Sequence, residues 1–106
     1  FKYQPYRSGR TLQEDLALAQ TRCDAVLVSG TGSGIPPKAT KLRQFRGLLA
    51  DFPLLAASGV TSANCREVLE DLDGAIVGSF FKFDGNMANP VEAARVRHLI
   101  QTLRAE

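Results

Sequence analysis

Three short apolar runs, each closed by a glycine, constrain the fold of this chain more than any other feature. They are Ala25-Val26-Leu27-Val28, Pro53-Leu54-Leu55-Ala56-Ala57 and Gly74-Ala75-Ile76-Val77, and the glycines that follow them are Gly30, Gly59 and Gly78. Each run has the length of a strand and lacks the polar alternation of a sheet with one wet face. Strands covered on both faces, as in parallel sheets, have this pattern.

Helical patterns alternate with the runs. Thr11-Leu12-Gln13-Glu14 reads as a capping box leading into Leu12, Leu16 and Ala19. After the first run, Leu42, Phe45, Leu48 and Leu49 form one stripe, while Lys38, Lys41, Arg43 and Arg46 lie outside it as a solvated basic face. After the second, Cys65, Val68, Leu69 and Leu72 repeat the helical spacing from a start near Thr61 or Ser62. Asn89-Pro90-Val91-Glu92 predicts the last helix start, with a cap, a proline in the first position and an acid in the third. Val96, Leu99, Ile100 and Leu103 then share a face. One helix followed by three strand–helix units predicts right-handed βαβ crossovers and a single α/β domain over residues 1–106.

Composition works here by exclusion. A net charge of +2 and a pI near 8.8 are too mild to imply nucleic acid, and the basic residues have no aromatics interleaved. No apolar stretch is long enough to span a bilayer, and Phe1-Lys2-Tyr3-Gln4-Pro5 lacks the apolar run of a signal peptide. Cys23 and Cys65 are too far apart for a zinc ribbon or a CxxC pair; one disulfide is allowed and nothing forces it. A cytoplasmic setting is the default that follows, with no metal and no cofactor expected. The chain opens on Phe1 and holds one methionine, Met87, so further residues upstream are expected.

The glycines carry the functional reading. In parallel α/β folds the ligand lies at the carboxyl ends of the strands, and all three glycine clusters fall there. The first is Ser29-Gly30-Thr31-Gly32-Ser33-Gly34, the second Ser58-Gly59-Val60-Thr61, and the third Gly78-Ser79, followed by Phe80, Phe81 and Lys82. Glycine lets backbone N–H groups approach an oxyanion with no Cβ between them, which predicts a phosphate site at Gly30, Thr31, Ser58, Gly59, Gly78, Ser79 and Lys82. Tight βα turns would use the same glycines. Gly30 to Gly34 matches neither a P-loop, since no Gly-Lys-Ser/Thr follows, nor GxGxxG, since Gly34 comes one residue early.

The blocks fall into a recognisable order. Asp24-Ala25-Val26-Leu27-Val28-Ser29-Gly30 is followed by Ser58-Gly59-Val60-Thr61 with Asn64. Then come Asp73-Gly74-Ala75-Ile76-Val77-Gly78-Ser79 with Lys82 and Asp84-Gly85, and finally Asn89-Pro90-Val91 with Arg95-Val96. The series resembles the C-terminal part of the BtpA/SgcQ family of TIM-barrel proteins. That resemblance implies a barrel in which strand 6 is 25–30, strand 7 is 54–58 and strand 8 is 75–79. It also implies phosphate at the ends of strands 7 and 8, hence at Gly59, Gly78 and Ser79. One member of the family is linked to photosystem I biogenesis and another lies among carbohydrate-metabolism genes, so the resemblance supplies no substrate. Phe1-Lys2-Tyr3 aligns with the end of strand 5, where members often read Val-Lys-His; Tyr3 stands in place of that histidine.

A barrel of this type needs about 250 residues, so three strand–helix units form a half-barrel with an open inward face. A fragment, a truncated product that self-associates and an independent open α/β domain all satisfy this. A homodimer pairing two half-barrels is the favoured way to cover the open edges.

Single residues add less. His98 should be a solvated helix residue, Cys23 and Cys65 small core residues, and Asp24 and Asp73 turn residues at the edge opposite the site. Phe80 and Phe81 should point in opposite directions, and an exposed phenylalanine among Phe80, Phe81 and Phe83 would mark an interface. Only Ser, Thr, Gly and one Lys occur at the strand ends, where general acid–base work wants His, Asp or Glu. Binding of a phosphorylated small molecule is therefore expected and no reaction is assigned. A non-catalytic assembly or stability factor, or an inactive truncated barrel, is the alternative.

Overall fold

A computed structural model describes residues 9–30 and 34–105. The chain runs α1 (Leu12–Arg22), β1 (Val26–Val28), α2 (Ala39–Leu49), β2 (Leu54–Ala56), α3 (Cys65–Val68), β3 (Gly74–Ala75) and α4 (Ala93–Arg104). α1 begins where the capping box placed it. The Thr11 hydroxyl accepts the Glu14 N–H at 3.1 Å, and the Glu14 carboxylate accepts the Thr11 N–H at 3.3 Å. The strands are parallel in the order β1-β2-β3, with Leu27 beside Leu55 and Leu55 beside Gly74. The α/β class of a partial (β/α) barrel stands, and the sheet is open.

One face of that sheet makes the core. Val26, Val28, Leu54 and Ala56 are buried with Leu16 of α1, Leu42, Phe45 and Leu49 of α2, and Leu99 of α4. Each buried side chain of this size contributes on the order of 1.5–3 kcal/mol. The other face is less covered, with Leu27 36% and Ile76 52% exposed and Leu55 half-buried. The burial on both faces expected of the runs is thus corrected: only alternate residues lie under helices. A barrel wall turns its remaining side chains inward, and the three described strands supply no opposite wall to meet them.

Four local expectations also change. The helix predicted from Thr61 begins at Cys65 and tightens into a 3-10 turn over Leu69–Asp71. Asn64 causes the delay, because its side chain accepts the Thr61 N–H at 2.8 Å and donates to the Gly59 carbonyl at 2.9 Å. Asn89 does not cap α4, which starts at Ala93 instead. Its Nδ2 donates to the Phe83 carbonyl, the Glu92 N–H donates to the Phe81 carbonyl at 2.7 Å, and Lys82 bridges Val91. Phe80 and Phe81 sit in a 3-10 turn rather than a strand. Both pack against the core with ring centroids 6.3 Å apart, and Phe83 is exposed. Cys65 is buried as expected, while Cys23 is exposed at the end of α1; both are free thiols.

The basic face of α2 is only partly solvated. Lys38 and Arg43 are exposed, but Arg46 reaches the amino end of the sheet. It donates to the carbonyls of Asp71 (2.8 Å), Ala50 (2.7 Å) and Phe52 (3.1 Å) and to the Asp73 carboxylate at 2.9 Å. Asp73 also accepts the Leu54 N–H at 2.9 Å, so it ties β2 to the start of β3. The Leu54 N–H first, and the Arg46 hydrogen bond after it, hold the Asp73 carboxyl below its ordinary value near 3.8, against an opposing effect of burial. A depressed folded pKa contributes stability above the unfolded value and loses it as pH falls through the folded one. Asp73→Asn should therefore flatten the decline of Tm below about pH 4, read by melting curves from acid to neutral pH. Parallel declines in variant and parent would contradict it.

Candidate ligand cleft at the strand ends

An open cleft of about 410 Å³ lies at the carboxyl edge of the sheet. The end of β1 contributes Ser29, and the end of β2 contributes Ala57, Ser58, Gly59 and Val60. The segment after β3 contributes Gly78, Ser79, Gly85 and Met87, and Gly34 faces Ser79 from the β1–α2 loop. Among the described residues, the amide N–H groups of Gly59, Val60, Gly78 and Ser79 take no protein acceptor. All four belong to residues of the cleft wall. Such groups can bind an anion, and none of the described residues lining the cleft is a histidine or a carboxylate that could move a proton.

The three strand-end glycines do different work. A Cβ on Gly30 would stand 2.2 Å from the Ile35 carbonyl oxygen, and one on Gly59 would stand 2.1 Å from the Pro36 nitrogen. The Ile35-Pro36 backbone therefore passes against both, and Gly59 adds a left-handed φ of +71°. Ser58 locks this crossing, because its hydroxyl accepts the Gly30 N–H at 2.9 Å and donates to the Ile35 carbonyl at 2.6 Å. At Gly78 a Cβ would meet only the flexible end of Met87, at 3.5 Å.

The cleft brings together Ser58, Gly59, Gly78 and Ser79 of the predicted set. Gly30 is buried beneath the crossing, and Thr31 lies outside the described residues, as does the Phe1–Tyr3 segment aligned with strand 5. Lys82 is half-buried and does not line the cleft.

Sequence reasoning missed Lys41 and Arg95. The Lys41 ammonium donates to the Ser29 carbonyl at 2.9 Å and lies 5.9 Å from the Phe45 ring centroid, and burial holds its pKa below the ordinary lysine value. Position three of a helix gives no hint of this reach. Arg95 donates its Nε–H to the Phe80 carbonyl, with the guanidinium carbon 4.6 Å from the Phe80 ring centroid. Its place in the Asn89–Val96 block was the available signal. Among the described residues no cluster of His, Cys, Asp or Glu could hold a metal, and no helix is long and apolar enough to cross a membrane.

The open parallel sheet with βα loops gathered around one strand-end cleft defines a partial (β/α) barrel. The particular family is then fixed by sequence: the BtpA family profile matches residues 10–105, and the chain belongs to the BtpA family. It is 36% identical over 78 residues to the uncharacterized protein TK2179 of Thermococcus kodakarensis, covering 74% of this chain and 30% of that one. It is 35% identical to the putative sgc region protein SgcQ of Escherichia coli, covering 74% of this chain and 29% of that protein. Similarity to the photosystem I biogenesis protein BtpA of Synechocystis is lower, 26% over 80 residues, covering 76% and 28%. The chain spans about 30% of the length of the curated relatives it matches. No solved structure matches it significantly.

Proposed function

We propose that the cleft binds a phosphate-bearing small molecule, with the amides of Gly59, Val60, Gly78 and Ser79 as donors to the phosphate oxygens. The presence of four residues with acceptor-free N–H groups in the wall of one cavity is the observation that carries the reading. Ser79 adds a hydroxyl, and Met87 with Ala57 gives the remainder of a ligand an apolar surface. This chain supplies binding, and any acid or base would come from residues beyond this set. In the same reading the sheet face that exposes Ile76 is covered by a second copy or by the remaining wall of a barrel. A sugar phosphate at ten times its Kd should stabilise the fold by about 1.4 kcal/mol, a rise of several degrees in Tm. An unchanged Tm across millimolar sugar phosphates would contradict the proposal.

A second reading, an assembly or stability factor without catalysis, draws on the photosystem I biogenesis role named for the Synechocystis relative and on the exposed apolar face. In it the cleft is inherited scaffolding and the sheet face meets a protein partner.

A further inference from the structure

Among the described residues, the cleft wall takes its polarity from amides and serine hydroxyls and contains no cation. A phosphate held there would retain most of its charge unless a basic side chain stood at the rim. Lys41 is engaged with the Ser29 carbonyl, Arg66 with the Thr102 carbonyl, and Arg46 works at the opposite edge of the sheet. Arg95 is placed differently. Its Nε–H is committed to the Phe80 carbonyl and its guanidinium lies over the Phe80 ring, so the group is fixed from behind. Its far end projects to Gly85, where Nη2 stands 3.7 Å from the point a Cβ would occupy. Gly85 lines the cleft and takes a left-handed φ of +68°. Among the described residues Nη1 and Nη2 have no acceptor.

The geometry points to Arg95 as the residue that pairs with the phosphate of a ligand seated in the cleft, with Gly85 as the opening through which its guanidinium reaches the anion. This rests on the phosphate reading above and replaces Lys82, the cation expected from sequence, with a residue of α4. A guanidinium held by stacking and one Nε bond loses little side-chain freedom when its two remaining nitrogens bond an oxyanion. A side chain at position 85 would stand beside the fork and obstruct it.

The test is calorimetric titration of the 106-residue chain with inorganic phosphate and with ribose 5-phosphate at fixed ionic strength. Arg95→Gln should weaken binding by about tenfold or more, and Arg95→Lys should give an intermediate loss. Gly85→Asn keeps the left-handed turn, which asparagine tolerates, and should weaken binding with Arg95 intact. Arg43→Gln, exposed on α2, should leave it unchanged. If Arg95→Gln fails to fold, the lysine and Gly85 variants decide. Parent binding with Arg95→Gln and Gly85→Asn unaffected, or a loss confined to Lys82→Gln, would overturn the Arg95 assignment and leave the cleft reading standing. No binding by the parent would overturn both.

Discussion

Gly59→Ala should destabilise the fold by about 3 kcal/mol or more, a fall in Tm of roughly 10–25 °C for a domain of this size. Two costs combine. A left-handed φ of +71° costs an alanine roughly 1–2 kcal/mol. The larger cost is steric, because the new Cβ would lie 2.1 Å from the Pro36 nitrogen and 2.4 Å from the Ile35 carbonyl carbon. Those are backbone atoms, so no rotamer change relieves the overlap. The Ile35-Pro36 segment must lift away, which breaks the Ser58 bonds to Gly30 and Ile35. Gly47→Ala is the informative contrast: it lies within α2 with open space around it and should stabilise by about 0.5–1 kcal/mol. Chemical denaturation of the two variants reads both signs. Near-equal stability of Gly59→Ala and the parent would mean that the crossing is not packed as described.

Arg46→Ala is the second large effect, an expected loss of about 2–4 kcal/mol. The side chain ties the carbonyls of Ala50, Phe52 and Asp71 together and pairs with Asp73. Truncation strands acceptors that are part-buried at the amino end of the sheet and frees Asp73 from its partner. Arg46→Lys should recover part of the loss, since an ammonium can meet one or two of the acceptors but cannot reproduce the planar fork. Equilibrium denaturation of the two variants and the parent checks this ranking. A lysine variant as damaged as the alanine variant would show that guanidinium geometry, rather than charge, sets the effect. An undamaged alanine variant would contradict the network.

What the sequence made legible was local. The capping box at Thr11 and Glu14 lies within four residues and was readable, and the three apolar runs marked the strands because burial acts on contiguous side chains. Ser58, Gly59, Gly78 and Ser79 could be placed on one edge because parallel strands put their carboxyl ends together. The misses came from partners remote in sequence. Gly30 was read as open to a ligand, yet the Ile35-Pro36 backbone packs on it, and the same segment passes behind Gly59, which still lines the cleft. Arg46 looked solvated because its acceptors Asp71 and Asp73 lie 25 and 27 positions away. Asn89-Pro90 carried every mark of a helix start, but a return against Lys82 and Phe83 took their backbone instead.

The central claim is that the amides at the ends of β2 and β3 form an anion site, and a backbone NMR titration tests it most directly. Adding inorganic phosphate to the 15N-labelled chain, to about 10 mM, should move the N–H resonances of Gly59, Val60, Gly78 and Ser79 most. The downfield shifts should saturate together, while Gly47 and the residues of α1 stay still. Unmoved strand-end amides, with changes confined to exposed basic residues such as Lys38 and Arg43, would contradict the account.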